Sequence, residues 1–170
     1  LPLEPYSSLD DLAPKLDFGA ISHGSARYDP AELETLNARI LHQSDFSQLK
    51  DRLAPLGVTS EPVWLALRKN ITRLPQIADW LPLINGPVTP IVAKEDREFI
   101  ARAKELLPAE PWDYTTWKNW TGALKKETQR KGKSLFLPLR LALTGRPDGP
   151  ELKSLLPLMG RKGCLDRLSL

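Results

Sequence analysis

Sixteen prolines in 170 residues, with leucine outnumbering valine 31 to 4, leave this chain few folds to choose from. Proline removes a ladder hydrogen bond from a sheet and interrupts the interior of a helix. β-Branched and aromatic strand formers are scarce, and no segment alternates apolar and polar residues for more than a few positions. The pattern predicts an all-α chain of short helices punctuated by proline.

The helix starts are legible. Asp29-Pro30-Ala31-Glu32 combines an N-cap, a first-turn proline and a capping-box glutamate, and the helix it opens carries Leu33, Leu36, Ile40 and Leu41 on one face. Asp45-Phe46-Ser47-Gln48 repeats the capping logic ahead of Leu49 and Leu53, and Pro55 and Gly57 stop that helix. Ser60-Glu61-Pro62 opens a third, striped by Trp64, Leu67, Ile71 and Leu74, and Pro75 begins a short helix through Ile77, Trp80, Leu81 and Ile84. The run Asn85-Gly86-Pro87-Val88-Thr89-Pro90 is the strongest break. It predicts two consecutive helical subdomains, residues 1–84 and 85–170.

Beyond the break, residues 93–107 read as a charged amphipathic helix ending at Pro108, and Asp113 caps a helix carrying Trp117, Trp120 and Leu124. A basic turn, Gln129-Arg130-Lys131-Gly132-Lys133, leads into an apolar helix. The last helix runs through Leu152, Leu155, Leu156 and Met159 to Gly160, with a short one after it around Leu165–Leu168.

Several classes of chemistry are missing. His23 and His42 stand apart without a second ligand at metal spacing, which argues against a metal site, and the glycines fit turns better than a phosphate loop. Acidic pairs such as Asp10-Asp11 and Glu95-Asp96 sit at helix starts, where the macrodipole favours carboxylates. No nucleophile motif is present, so the chain is expected to carry no catalytic residue and to hold no cofactor of its own. At 41% hydrophobic and 26% charged it has an ordinary globular composition, with no apolar run near the roughly 20 residues of a membrane span. The N-terminus carries no secretory signal, and Leu1 in place of Met suggests a piece of something longer. The single cysteine, Cys164, precludes an internal disulfide and suits a cytoplasmic protein.

Charge is uneven: residues 1–110 carry 12 Lys/Arg against 16 Asp/Glu, and residues 111–170 carry 12 against 5. A basic C-terminal module favours a polyanionic partner. Within it, FLPLRLALTGRPDGPEL (136–152) sets one cation, Arg140, in an apolar run just before a tight turn. A guanidinium pairs with phosphate or base edges and stacks on base faces, and unstacked RNA bases need such donors beside exposed amides. Arg140, with the amides of Glu151 and Leu152 where the next helix is expected to start at Pro150, would supply that mixture. Pro138 removes a helix donor just upstream. Lys125, Lys126, Arg130, Lys131 and Lys133 read as a phosphate track. Trp112, Trp117 and Trp120 have the spacing of core residues rather than stacking platforms. The competing reading is a helical protein–protein adaptor with a basic surface.

The phrases KGKSLFLPLRLALTGRPDGPEL and LLPLMGRKGCLDRL, with ISHGSARYDPAELETLNARILH upstream, resemble the C-terminal end of bacterial glutamyl-tRNA synthetases across essentially the whole chain. The resemblance implies the helical anticodon-binding region of a class I synthetase. The catalytic domain, with its ATP and Mg sites, would lie outside this chain. It implies a monomer whose partner is glutamate tRNA. By the same resemblance, Arg140, Pro150 and Leu152 hold anticodon bases, with Gly149 standing where some relatives have a hydroxyl residue. Relatives that reject glutamine tRNA read the third anticodon base with an arginine. That position falls on Asn70, beside Arg68 and Lys69, which implies weak discrimination between glutamate and glutamine tRNAs.

Overall fold

A computed structural model describes residues 4–6, 8–21, 24 and 29–169; His23 lies outside them. The elements formed by these residues are α-helices and 3-10 turns, with no strand among the described residues. They make two consecutive compact units, Leu1–Ile77 and Ala78–Leu170.

The first unit holds α1 (Leu9–Leu12), α2 (Pro30–Gln43), α3 (Phe46–Leu53) and α4 (Glu61–Leu67), followed by a 3-10 turn at Arg68–Asn70. Asp29 caps α2 by accepting from the Ala31 amide at 2.9 Å, with Pro30 in the first turn. α3 opens with a capping box in which Gln48 Oε1 accepts from the Asp45 amide at 3.0 Å. Pro55 and a left-handed Gly57 (φ 83°) end the turn that follows. The stripe read on α4 and beyond is core: Trp64, Leu67, Ile71 and Leu74 are all buried, with Leu53, Val58 and Ile77.

On α2 the expected apolar face is only partly right. Leu41 is buried but Leu33 is 45% exposed. The helix is held through Glu34, Asn37 and His42, which meet segment 71–72: Thr72 Oγ1 donates to Glu34, Asn37 to the Thr72 carbonyl, and His42 Nε2 to the Ile71 carbonyl at 2.9 Å. Polar residues, invisible to a hydrophobic pattern, choose the packed face, and Leu33 is left off it.

The second unit contains α5 (Pro82–Asn85), α6 (Arg97–Glu105), α7 (Thr116–Thr128), α8 (Lys133–Thr144) and α9 (Leu152–Leu168). α9 is its hub, packing against each of the other four. Its Leu155, Leu156 and Cys164 are fully enclosed, and it bends at Gly160, where the backbone turns left-handed (φ 68°, ψ 165°). Trp120 of α7 is buried and donates its indole N–H to the Ala103 carbonyl of α6 at 3.0 Å. Asp113 Oδ1 accepts from the amides of Thr115 and Thr116 at 2.8 and 3.2 Å, satisfying donors at the start of α7.

The unit begins at Ala78, ahead of the Asn85–Pro90 break at which the sequence predicts the boundary. Residues just before that break belong to the second core. Trp80 meets the 145–149 turn. Buried Arg167 of α9 donates to the carbonyls of Leu83, Leu143 and Gly86 at 2.6, 3.0 and 3.2 Å, so one guanidinium satisfies three carbonyls on two otherwise separate segments.

α8 continues through Pro138. Proline at 138 has no N–H for the carbonyl four residues back, Ser134. Arg130 fills the vacancy, its Nη1 donating to the Ser134 carbonyl at 3.2 Å.

Candidate nucleic-acid interface

α8 stops at Thr144 because Gly145 takes a left-handed C-cap (φ 65°), its amide donating to the Leu141 carbonyl at 2.9 Å. The chain then crosses residues 146–150 to α9. Two close approaches fix this turn. A side chain at Gly145 would begin 2.6 Å from the Thr89 carbonyl oxygen, and one at Gly149 (φ 117°) 2.5 Å from the Trp80 ring. Arg146 lies over that ring, 4.2 Å from its centroid. Pro150 and Leu152 are buried, so neither presents its side chain freely; what they offer is backbone and shape.

Arg140 is half-buried and bridges the turn. Its Nη2 donates to the Pro150 carbonyl at 3.1 Å, while Nη1 is buried without a hydrogen-bond partner. Burial lowers its pKa from the usual arginine value, with Asp148 opposing the shift; a guanidinium so far from neutral pH stays charged. An inward-placed donor with no acceptor is costly to bury.

Arg140 lines a groove of about 360 Å³ with Trp117, Phe136, Glu151, Leu152 and Lys153. Trp117 and Phe136 stand side by side, ring centroids 6.1 Å apart and planes tilted by 35°. The Leu155 amide makes the first i−4 bond of α9, to the Glu151 carbonyl at 3.1 Å. The Leu152 and Lys153 amides, in the first turn, have no carbonyl four residues back within the helix. The groove therefore combines aromatic faces, a charged donor and the positive end of a helix.

The basic stretch divides. Lys125, Lys126, Lys131 and Lys133 are exposed. Arg130, which the sequence places with them, is half-buried and held by the protein's own groups. Besides Ser134 it holds the Asp96 carboxylate and the Glu95 carbonyl, and it lies over the Phe99 ring at 4.4 Å. Asp96, read as a helix cap, makes no side-chain cap to α6; its carboxylate is taken by Arg130. Of the three tryptophans, Trp120 is core, Trp112 is half-buried and donates to the Pro108 carbonyl at 3.2 Å, and Trp117 flanks the groove. Phe136 also lines the groove; it lies four residues before Arg140 and so on the same helix face, a spacing the sequence displays.

In the first unit, Arg68 Nη1 donates to the Ser44 carbonyl at 2.9 Å, an oxygen that also accepts from Trp64, and Nε is buried unpaired. Asn70 is half-buried at the end of the same 3-10 turn and Lys69 is exposed. Among the described residues no group of three or more His, Cys, Asp or Glu is gathered to hold a metal, and no helix is long and apolar enough to cross a membrane.

Residues 48–170 match the family model described as an anticodon binding domain, and the chain belongs to that family. It is similar over 98% of its length, at 49% identity, to glutamate–tRNA ligase 2 of Methylorubrum populi, and over 97%, at 48% identity, to glutamate–tRNA ligase 1 of Rhodospirillum rubrum. It spans 37% and 36% of those two relatives. A solved glutamate tRNA ligase from Elizabethkingia meningosepticum in complex with its amino acid superposes on 95% of the chain with a TM-score of 0.77 at 17% identity, over 36% of its own length; the likeness is one of fold.

Proposed function

We propose that this chain is the anticodon-reading part of a glutamate–tRNA ligase, a class I aminoacyl-tRNA synthetase of the cytoplasm. It holds glutamate tRNA for a catalytic region, outside this chain, that uses ATP and Mg. The reading is supported by the family match and carried by one observation: Arg140, a lone cation in an apolar stretch, lines a groove walled by aromatic rings and the first turn of α9. Arg140 supplies the hydrogen-bond donor to a base. The Gly145–Pro150 turn and the α9 amides supply the surface against which the loop lies. The exposed Lys125, Lys126, Lys131 and Lys133 attract phosphates, and the chain acts as a monomer.

Titrating the full chain with the anticodon stem-loop of glutamate tRNA tests this. Binding weakened by about 1–3 kcal/mol in Arg140→Ala, with helicity retained, is expected, by analogy with one bidentate base contact. No affinity for the stem-loop, or none beyond that for an unrelated RNA hairpin, contradicts the reading.

Neutral Asn70 at the position that the resemblance assigns to a discriminating arginine supports a ligase that accepts glutamine tRNA as well. Aminoacylation of both transcripts by the parent enzyme tests it, and a large preference for glutamate tRNA refutes it.

A further inference from the structure

We infer that Phe136, backed by Trp117, is the stacking platform for one anticodon base, so that the groove beside Arg140 is a nucleobase slot with an aromatic wall. The inference rests on the anticodon-reading role proposed above and assigns the slot its second recognition element.

The argument begins with exposure. Phe136 sits within the most apolar stretch of the chain, yet is 44% exposed, while its neighbours Leu135, Pro138 and Leu139 are buried. It stands one turn before Arg140 on α8 and lines the same groove. Trp117 comes from a different helix and meets Phe136 at 6.1 Å. Trp117 is itself held by an edge-on contact with core Trp120, centroids 5.8 Å apart and planes at 71°. A half-exposed ring backed by a ring anchored in the core is a rigid surface with little freedom left to lose on binding.

Chemistry narrows the occupant to a nucleobase. The aromatic wall offers a π-face, which every base can use. Arg140 lines the same groove, and a guanidinium offers the N–H donors that a base edge accepts. Lys153 also lines the groove, paired there with Glu151 at 2.7 Å. An unstacked base satisfies wall and donor together.

The experiment uses the full chain and the glutamate tRNA anticodon stem-loop with 2-aminopurine at each anticodon position in turn, its fluorescence reporting stacking. Phe136→Leu keeps apolar volume at a half-exposed site and so keeps the fold; Phe136→Trp restores an aromatic face. In the wild type one position is expected to be quenched in the complex. In Phe136→Leu that quench is lost and affinity falls about tenfold, within the range for loss of one base–aromatic stack; Phe136→Trp recovers both. If Phe136→Leu binds and quenches like the wild type while Arg140→Ala still weakens binding, the platform is refuted and the anticodon-reading role stands. If the wild type itself does not bind the stem-loop, both fall.

Discussion

The ring of Trp80 occupies the space where a side chain at Gly149 would begin, 2.5 Å from the ideal Cβ position. The contact explains why glycine stands where the resemblance places a hydroxyl residue in some relatives. With φ at 117° the backbone there also disfavours any L side chain.

Gly149→Ser should therefore destabilise the second unit by about 2–3 kcal/mol, the sum of backbone strain and a displaced ring, rather than add a hydrogen bond to RNA. Urea unfolding followed by tryptophan fluorescence and circular dichroism measures it. An unchanged midpoint would mean that Trp80 moves aside freely.

Arg140→Lys should weaken stem-loop binding nearly as much as Arg140→Ala. One ammonium cannot hold the Pro150 carbonyl and a base edge in the fixed fork that a guanidinium provides. Isothermal titration of both variants against the wild type checks this; wild-type affinity in the lysine variant would reduce the arginine to a point charge.

The exposed lysines set the salt response. Four single-strand phosphate contacts give a slope of log affinity against log salt of roughly −3. Replacing Lys125 and Lys126 with alanine should bring it to roughly −1.5, read from binding curves across a salt series.

Arg167→Met should cost about 3 kcal/mol of unfolding free energy. The methionine fills much of the volume, but the carbonyls of Leu83, Leu143 and Gly86 lose a shared donor inside the protein. Chemical denaturation measures the loss, and a change below about 1 kcal/mol would show that water replaces the guanidinium without penalty.

Burial pushes the Cys164 thiol up to about 12 from its ordinary 9.0. The folded pKa is the higher one, so its contribution is intact below pH 9 and is lost progressively as pH rises from there toward 12. Stability measured between pH 8 and 11 should fall less steeply in Cys164→Ala than in the wild type. Equal slopes would remove the thiol from the alkaline response.

Much of this architecture is legible in the residues themselves. Asp29, Asp45, Pro55 and Gly57 announce helix ends through local chemistry, and the Trp64–Leu74 stripe follows the helical period into the core. What escapes a linear reading is long-range polar pairing. Nothing near Arg130 in sequence reveals that Asp96 will hold it, and nothing near Arg167 points to Leu83. The same limit governs the candidate site. Arg140 stands out because a cation in an apolar run is conspicuous, whereas Phe136 looks like one more core residue until Trp117 is found beside it.

The Ser134 carbonyl, deprived of its helical donor by Pro138, is answered from outside α8 by Arg130. Positions 130 and 138 are thus thermodynamically coupled, though no side-chain contact between them is needed. Replacing the proline with alanine would hand that oxygen back to an ordinary helical amide and make loss of the arginine cheaper than it is in the native chain. Among natural variants, a guanidinium at the first position should be most indispensable where the second is an imino acid.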